Sequence, residues 1–121
     1  MLQKIDKEEF DKVYTIMEEA FPDNERRSYE GQKSLLSLPN YKIHVMKDIS
    51  DIKAFVAIWD LDDYIFIEHF AVNKNYRNQG LGSKIINEVV EKFGKTTFLE
   101  VEPMECTISE KRVKFYERNG F

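Results

Sequence analysis

Apolar residues repeat along this chain with two different periods. Phe10, Val13, Tyr14, Met17 and Phe21 recur every three or four residues, one stripe of a helix, and Pro22 ends the pattern. Asp6 with Glu9 three residues later has the form of a capping box, so a helix is predicted from about Lys7 to Ala20, with Leu2 to Ile5 ahead of it as a short strand. The stretch from Pro22 to Arg27 is polar and aperiodic. Ser28 then offers a cap for a shorter helix carrying Leu35, Leu36 and Leu38 up to Pro39. Three β-rich runs follow, Tyr41 to Lys47, Ile52 to Trp59 and Tyr64 to Val72, and the short polar turns between them imply an antiparallel meander. In the third run Phe66, Phe70 and Val72 fall on one face and Ile65, Ile67 and Ala71 on the other, so it is expected to be a central strand.

Leu81, Ile85, Val89 and Phe93 then repeat every fourth residue with Ile86 and Val90 beside them, and Gly94 stands where a helix C-cap belongs. Thr96 to Val101 is a further strand. Reached from the central strand through a helix, it is predicted to lie parallel and next to it. A last helix is expected from about Ser109 to Arg118, closed by Asn119 and Gly120. The order β-α-α-β-β-β-α-β-α predicts an α/β fold with a mixed, mostly antiparallel sheet and helices on both faces.

At 121 residues and 42% hydrophobic content the chain supports one core, so residues 1–121 are read as a single domain. The net charge of -4 comes from interspersed acidic and basic residues, which argues against a nucleic-acid partner. There is no apolar run of membrane-spanning length and no apolar leader, so a soluble cytoplasmic protein with no membrane partner is expected. Cys106 is alone, and the two histidines are His44 and His69. An internal disulfide is excluded and no metal site is expected.

The chemistry concentrates between the central strand and the helix that follows it. A helix starting near Gly80 presents unpaired backbone N–H groups and the positive end of its dipole, a ready site for phosphate. Gly80 and Gly82 allow close approach, Arg77 and Ser83 add donors, and Leu81 anchors the helix to the core. Two familiar phosphate loops do not fit. A dinucleotide fingerprint needs glycine where Ile85 stands, and a P-loop needs Gly-Lys-Ser/Thr preceded by another glycine, where this chain has Gly82-Ser83-Lys84 after Arg77.

The stretch from Phe70 through Arg77-Asn78-Gln79-Gly80-Leu81-Gly82-Ser83 closely resembles the acetyl-CoA signature of the GNAT superfamily of N-acetyltransferases. The element order agrees, and Phe98-Leu99-Glu100-Val101-Glu102 and Phe115-Tyr116-Glu117-Arg118-Asn119-Gly120-Phe121 reinforce the resemblance. It implies that residues 77 to 83, Asn78 and Gln79 included, hold the pyrophosphate of acetyl-CoA. Phe70, Ala71 and Val72 would pair with the pantetheine arm as an added strand, and the acetyl group would pass directly to a primary amine of a small molecule or peptide. Tyr116 would stand near the CoA sulfur as proton donor.

For the base, Glu68 interrupts an apolar strand two residues before the pantetheine segment. It either deprotonates the acceptor, or pairs with a buried basic group or the acceptor ammonium. His69, the next residue along the strand, is expected on the opposite face. Glu100 and Glu102 are second choices, and Arg26 and Arg27 are either anion receptors or an exposed charge cluster. In place of the Asn and Ala that many relatives carry after the fifth strand, this chain has Pro103-Met104-Glu105-Cys106-Thr107-Ile108-Ser109-Glu110. Relatives also continue past the position of Phe121 through two further strands. The resemblance therefore implies a C-terminally truncated domain, whose uncovered edge favours a homodimer. The alternative function is a non-catalytic acyl-CoA-binding or regulatory module.

Overall fold

The computed structural model describes residues 2–49, 51–77, 79–99 and 114–120. Among these, five strands form one sheet in the order β1-β2-β3-β4-β5. They are β1 (Gln3–Lys4), β2 (Tyr41–Asp48), β3 (Asp51–Asp60), β4 (Tyr64–Val72) and β5 (Thr96–Leu99). The first four pair antiparallel, and β5 runs parallel to β4. The parallel pair is the one joined by a helical crossover, as the chain order requires.

Three helices cover the sheet: α1 (Phe10–Ala20), α2 (Tyr29–Ser34) and α3 (Leu81–Phe93). Residues 114–118 are helical as well. The predicted capping box forms, with Glu9 N donating to Asp6 Oδ1 at 3.0 Å and Asp6 N to Glu9 Oε1 at 3.1 Å. It opens a 3-10 turn over Lys7–Glu9 before α1 proper begins. Ser28 Oγ accepts from Gly31 N at 3.1 Å and starts α2, which tightens into a second 3-10 turn at Leu35–Ser37 instead of running on to Pro39. Gly94, with φ 59°, ends α3 as a left-handed cap.

Each face of the sheet buries its own core. Phe10, Val13 and Met17 of α1 pack on Ile43, Val45 and Phe55, and Ile85, Ile86 and Val89 of α3 pack on Val56, Ile58 and Ile65. Helices therefore lie on both faces, as the order of elements predicts.

His44 is sealed on the α3 side with its ring edge-on to Phe93, centroids 5.5 Å apart, and among the described residues neither ring nitrogen has a hydrogen-bond partner. Burial, reinforced by the charges of Lys92, Lys42 and Lys4, lowers its pKa from 6.5 to about 4. Between those values the unfolded chain binds a proton that the folded chain refuses. Stability is therefore undiminished above about pH 6.5 and declines as the pH falls toward 4. Urea unfolding is expected to report about 2 kcal/mol less stability at pH 5 than at pH 7.5, and His44→Leu to flatten that slope. An equally steep decline in the variant would place the effect elsewhere.

Candidate active site

β4 carries the site because it is irregular. Across from β3, Ala57 faces His69 and Ile58 faces Ile67, so Glu68 is an extra, unpaired residue, a β-bulge. The bulge corrects two expectations drawn from strict alternation. His69 does not point away from Glu68, since its Nδ1 lies 3.4 Å from Glu68 Oε1. Ile65, Ile67, Phe70 and Val72 all pack on the α3 side, while Ala71 packs on the α1 side. One inserted residue exchanges the two faces of everything beyond it.

On its other side β4 pairs with β5 from Tyr64↔Thr96 to Ile67↔Leu99, and the described pairing stops one residue before the bulge. Further on, Asn73 N donates to Lys53 O at 2.7 Å. Alternation then turns the backbone groups of residues 70 and 72 away from β3 and into the gap beside β5. Arg77 Nε donates to Val72 O at 3.2 Å across the mouth of this gap. Below it lies a cavity of about 400 Å³, lined by Glu19 and Phe21 at the end of α1, by residues 67–72 of β4, and by Arg77, Leu99 and Tyr116. A larger cavity of about 660 Å³ runs along the outer side of β5 and shares Leu99 and Tyr116 with the first. The smaller one contains Glu68 and the turned-out backbone of β4, and it is the chemically furnished one.

Glu68 is surrounded by donors. Arg27 forms a fork on it, with Nη1 on Oε1 and Nη2 on Oε2 at 3.0 Å, and Trp59 Nε1 donates to Oε2 at 2.9 Å. Burial alone would favour the neutral acid, but His69, Arg27 and Trp59 outweigh it and hold the carboxyl far below the usual carboxylate range. Behind this group lies a buried polar chain. The Gln32 amide donates to Tyr41 Oη, and Arg27 Nη1 lies 3.4 Å from Gln32 Oε1. Burial, with the Glu68 charge next, pushes the Tyr41 phenol well above its ordinary value, so it stays neutral.

The segment between α1 and α2 is pinned over the site. Tyr14 Oη donates to Arg27 O at 2.7 Å, and Arg26 Nε donates to Phe21 O at 3.1 Å. His69 Nε2 reaches Glu25 O at 2.9 Å. Arg26 and Arg27 are thus neither anion receptors nor a solvated cluster, because both guanidinium groups are committed to protein acceptors.

At the other end of β4 the turn has the predicted shape. Gly80 has φ 74°, a left-handed conformation that glycine adopts freely. A Cβ built on it meets nothing within 4 Å. The N–H groups of Leu81, Gly82 and Ser83, in the first turn of α3, have no partner within the helix. Gly82 is also closely packed: a Cβ there would stand 3.0 Å from the Phe115 ring and 3.6 Å from Phe70, so a side chain fits only if the Phe115 ring shifts. Leu81 packs into the α3-side core and Gln79 is exposed, while Asn78, Glu100, Glu102 and residues 103–113 lie outside the described residues.

Sequence reasoning missed Trp59, Gln32 and Tyr41 as the support of Glu68. The signal for them was faint: a carboxylate in an apolar strand must find donors, but nothing in the chain says which. Among the described residues there is no group of three or more His, Cys, Asp or Glu side chains placed to hold a metal ion, and no helix is long and apolar enough to cross a membrane.

Comparison with known proteins places this geometry in context. Residues 8–121 match the Acetyltransferase (GNAT) family profile. The Bacillus subtilis (strain 168) protein YjbC, itself assigned by name to the acetyltransferases, is 34% identical over 110 residues. That match takes in 89% of this chain but 55% of YjbC, so the chain spans about half the length of that relative. A solved structure from Bacteroides thetaiotaomicron, assigned to the GNAT family, superposes with a TM-score of 0.90 at 27% identity, covering 99% of this chain and 70% of the other. AAC(6')-Iy, solved with the bisubstrate analogue CoA-S-monomethyl-acetylneamine, superposes with a TM-score of 0.74, covering 100% of this chain and 89% of the other. At 15% identity it shows the fold alone.

Proposed function

The chain belongs to the GNAT acetyltransferase family, and from that premise we propose that it binds acetyl-CoA along β4 and transfers the acetyl group to a primary amine in the cavity beneath Glu68. The observation that carries this reading is the cavity beside β4: beyond the bulge the strand turns the backbone of residues 70 and 72 away from β3, and the cavity lined by this segment also holds Glu68, Arg77 and Tyr116.

The residues present suit the ligand. The N–H groups of residues 81 to 83, at the start of α3, would give a pyrophosphate both hydrogen bonds and the helix dipole. The backbone N–H groups of residues 70 and 72 and the carbonyl of Phe70 would serve an extended amide-bearing arm, as in strand addition, the Val72 carbonyl being held by Arg77. The acetyl thioester supplies the electrophile: the amine nitrogen bonds to the acetyl carbon as the carbon–sulfur bond breaks, and the sulfur departs with a proton. The protein's share is to strip a proton from the arriving ammonium and to protonate the leaving sulfur. Tyr116 lines the cavity and is the residue we assign to the second task. Glu68, ionised and fully partnered, is a weak base, so we assign it the attraction and orientation of the ammonium.

The test is calorimetric titration with acetyl-CoA, followed by CoA release in the presence of a panel of primary amines. Saturable binding with turnover is the expected outcome. Binding without turnover on any amine would favour a non-catalytic acyl-CoA-binding module, and no binding would overturn the proposal. Tyr116→Phe is expected to lower kcat by about 10- to 100-fold with little change in acetyl-CoA affinity. Unchanged kcat would remove Tyr116 from the proton path.

A further inference from the structure

Two cavities meet at one pair of side chains. The smaller, about 400 Å³, contains the β4 segment proposed for the pantetheine arm, and the larger, about 660 Å³, lies along the outer side of β5. Leu99 and Tyr116 line both, so they form the partition between them. The proposed transfer has no use for the larger cavity, although its volume is that of a ligand pocket, roughly 300–1,000 Å³. Its lining is mostly apolar, with Val90 of α3, Phe98 and Leu99 of β5, and Tyr116. Lys95 and Glu117 line it too, but the Lys95 ammonium is turned to Asp60 Oδ1 at 2.7 Å and to Leu61 O at 3.0 Å, and Glu117 is exposed. An apolar chain would therefore enter without stranding a buried charge.

In the proposed binding mode the arm starts at the N-terminus of α3, passes Val72 and then Phe70, and meets the closed end of the gap, where β4 and β5 pair at Ile67↔Leu99. The acyl group is the far end of that arm and comes to rest against Leu99. The two halves of the partition are unequal. Tyr116 packs on Phe115 with ring centroids 5.2 Å apart, and Phe115 stacks on Phe70 at 6.1 Å, so the tyrosine is wedged in place. Leu99 is half-buried at the end of β5, and its side chain is the part of the wall that a substitution can remove. Resting on the proposed binding of acyl-CoA along β4, we propose that Leu99 determines which acyl donor the protein takes. Its side chain closes the acyl end of the cleft to chains longer than acetyl, and the cavity behind it is a site for a longer acyl chain that a smaller residue opens.

Calorimetric titration with acetyl-, butyryl- and hexanoyl-CoA tests this without turnover. The parent is expected to gain no affinity from the longer chains. In Leu99→Ala each methylene that enters the larger cavity should tighten binding about fourfold, so hexanoyl-CoA overtakes acetyl-CoA by roughly tenfold or more. Leu99→Val keeps a strand-forming residue, shifts the preference in the same direction by a smaller step, and carries the same comparison should the alanine variant unfold. Adding Val90→Phe to Leu99→Ala fills the larger cavity and is expected to abolish the gain.

Equal relative affinities for the three thioesters in the parent and both Leu99 variants overturn the inference, and so does a gain that survives Val90→Phe, which would put the acyl chain elsewhere. Both results leave the proposed acetyl-CoA site standing as long as the parent binds acetyl-CoA. A parent that binds none of the three overturns that site and the role of Leu99 together. A reversed preference in a protein that turns over no amine supports the acyl-chain site and overturns the proposed transfer.

Discussion

Gly80→Asp is expected to weaken acetyl-CoA binding by roughly 30- to 1000-fold in a protein that remains folded. The position has open space where a Cβ would go, so nothing is displaced. Its φ of 74° is one that Asp tolerates better than most residues, at a cost of about 1 kcal/mol. The new carboxylate would stand at the N-terminus of α3 and accept from the N–H groups that a pyrophosphate needs. It would also repel that anion, and a unit charge a few ångströms from another at the protein surface is worth roughly 2–4 kcal/mol. Gly80→Asn, nearly the same shape without the charge, should lose much less. Calorimetric titration of both variants decides the matter. Equal loss in the two would make the effect one of backbone conformation, and no loss in either would move the pyrophosphate away from this turn. Gly82→Asp is a poorer probe, because a side chain there would press on the Phe115 ring and mix a packing change with the charge effect.

Phe55→Ala is expected to cost about 3–5 kcal/mol of stability, read as a fall in Tm of roughly 10–25 °C. Phe55 is fully buried in the core between α1 and the sheet, and it faces Ala71 across the β3–β4 ladder. Close packing on every side leaves little room for collapse around the missing ring, so the cavity persists and adds to the lost transfer energy. A loss below about 1 kcal/mol would mean that α1 settles onto the sheet without it. The location also makes the residue a link between fold and site, since Ala71 lies in the segment whose opposite edge faces the cleft.

Much of the architecture is legible in the chain because it rests on local signals. The capping box at Asp6 and Glu9, the cap at Ser28, the four-residue period from Leu81 to Phe93 and the left-handed Gly94 each act within a few residues of themselves. Parallel pairing of β5 with β4 also follows from order alone, because a helical crossover returns the chain in the same direction. The turn proposed for the pyrophosphate belongs to the same class. An apolar strand, a positive-φ glycine and a helix start suffice to define it, and all three can be read in the sequence.

The candidate cleft around Glu68 was decided at the tertiary level. A β-bulge is a mismatch between two strands, and one strand's sequence carries no record of how its partner is spaced. The faces assigned to Phe70, Val72 and His69 by alternation therefore changed at Glu68. The partners of Glu68 are likewise distant in sequence. Arg27 comes from the segment before α2 and Trp59 from the end of β3, and they meet the carboxylate only because α1 and α2 dock on that face of the sheet. Local free energies along the chain, from caps, turns and apolar periods, determined by themselves which elements form and where the glycine turn before α3 lies. The protonation of Glu68 and the company of His69 depend on desolvation and on charges brought together from four separate segments, and only the folded arrangement sets those.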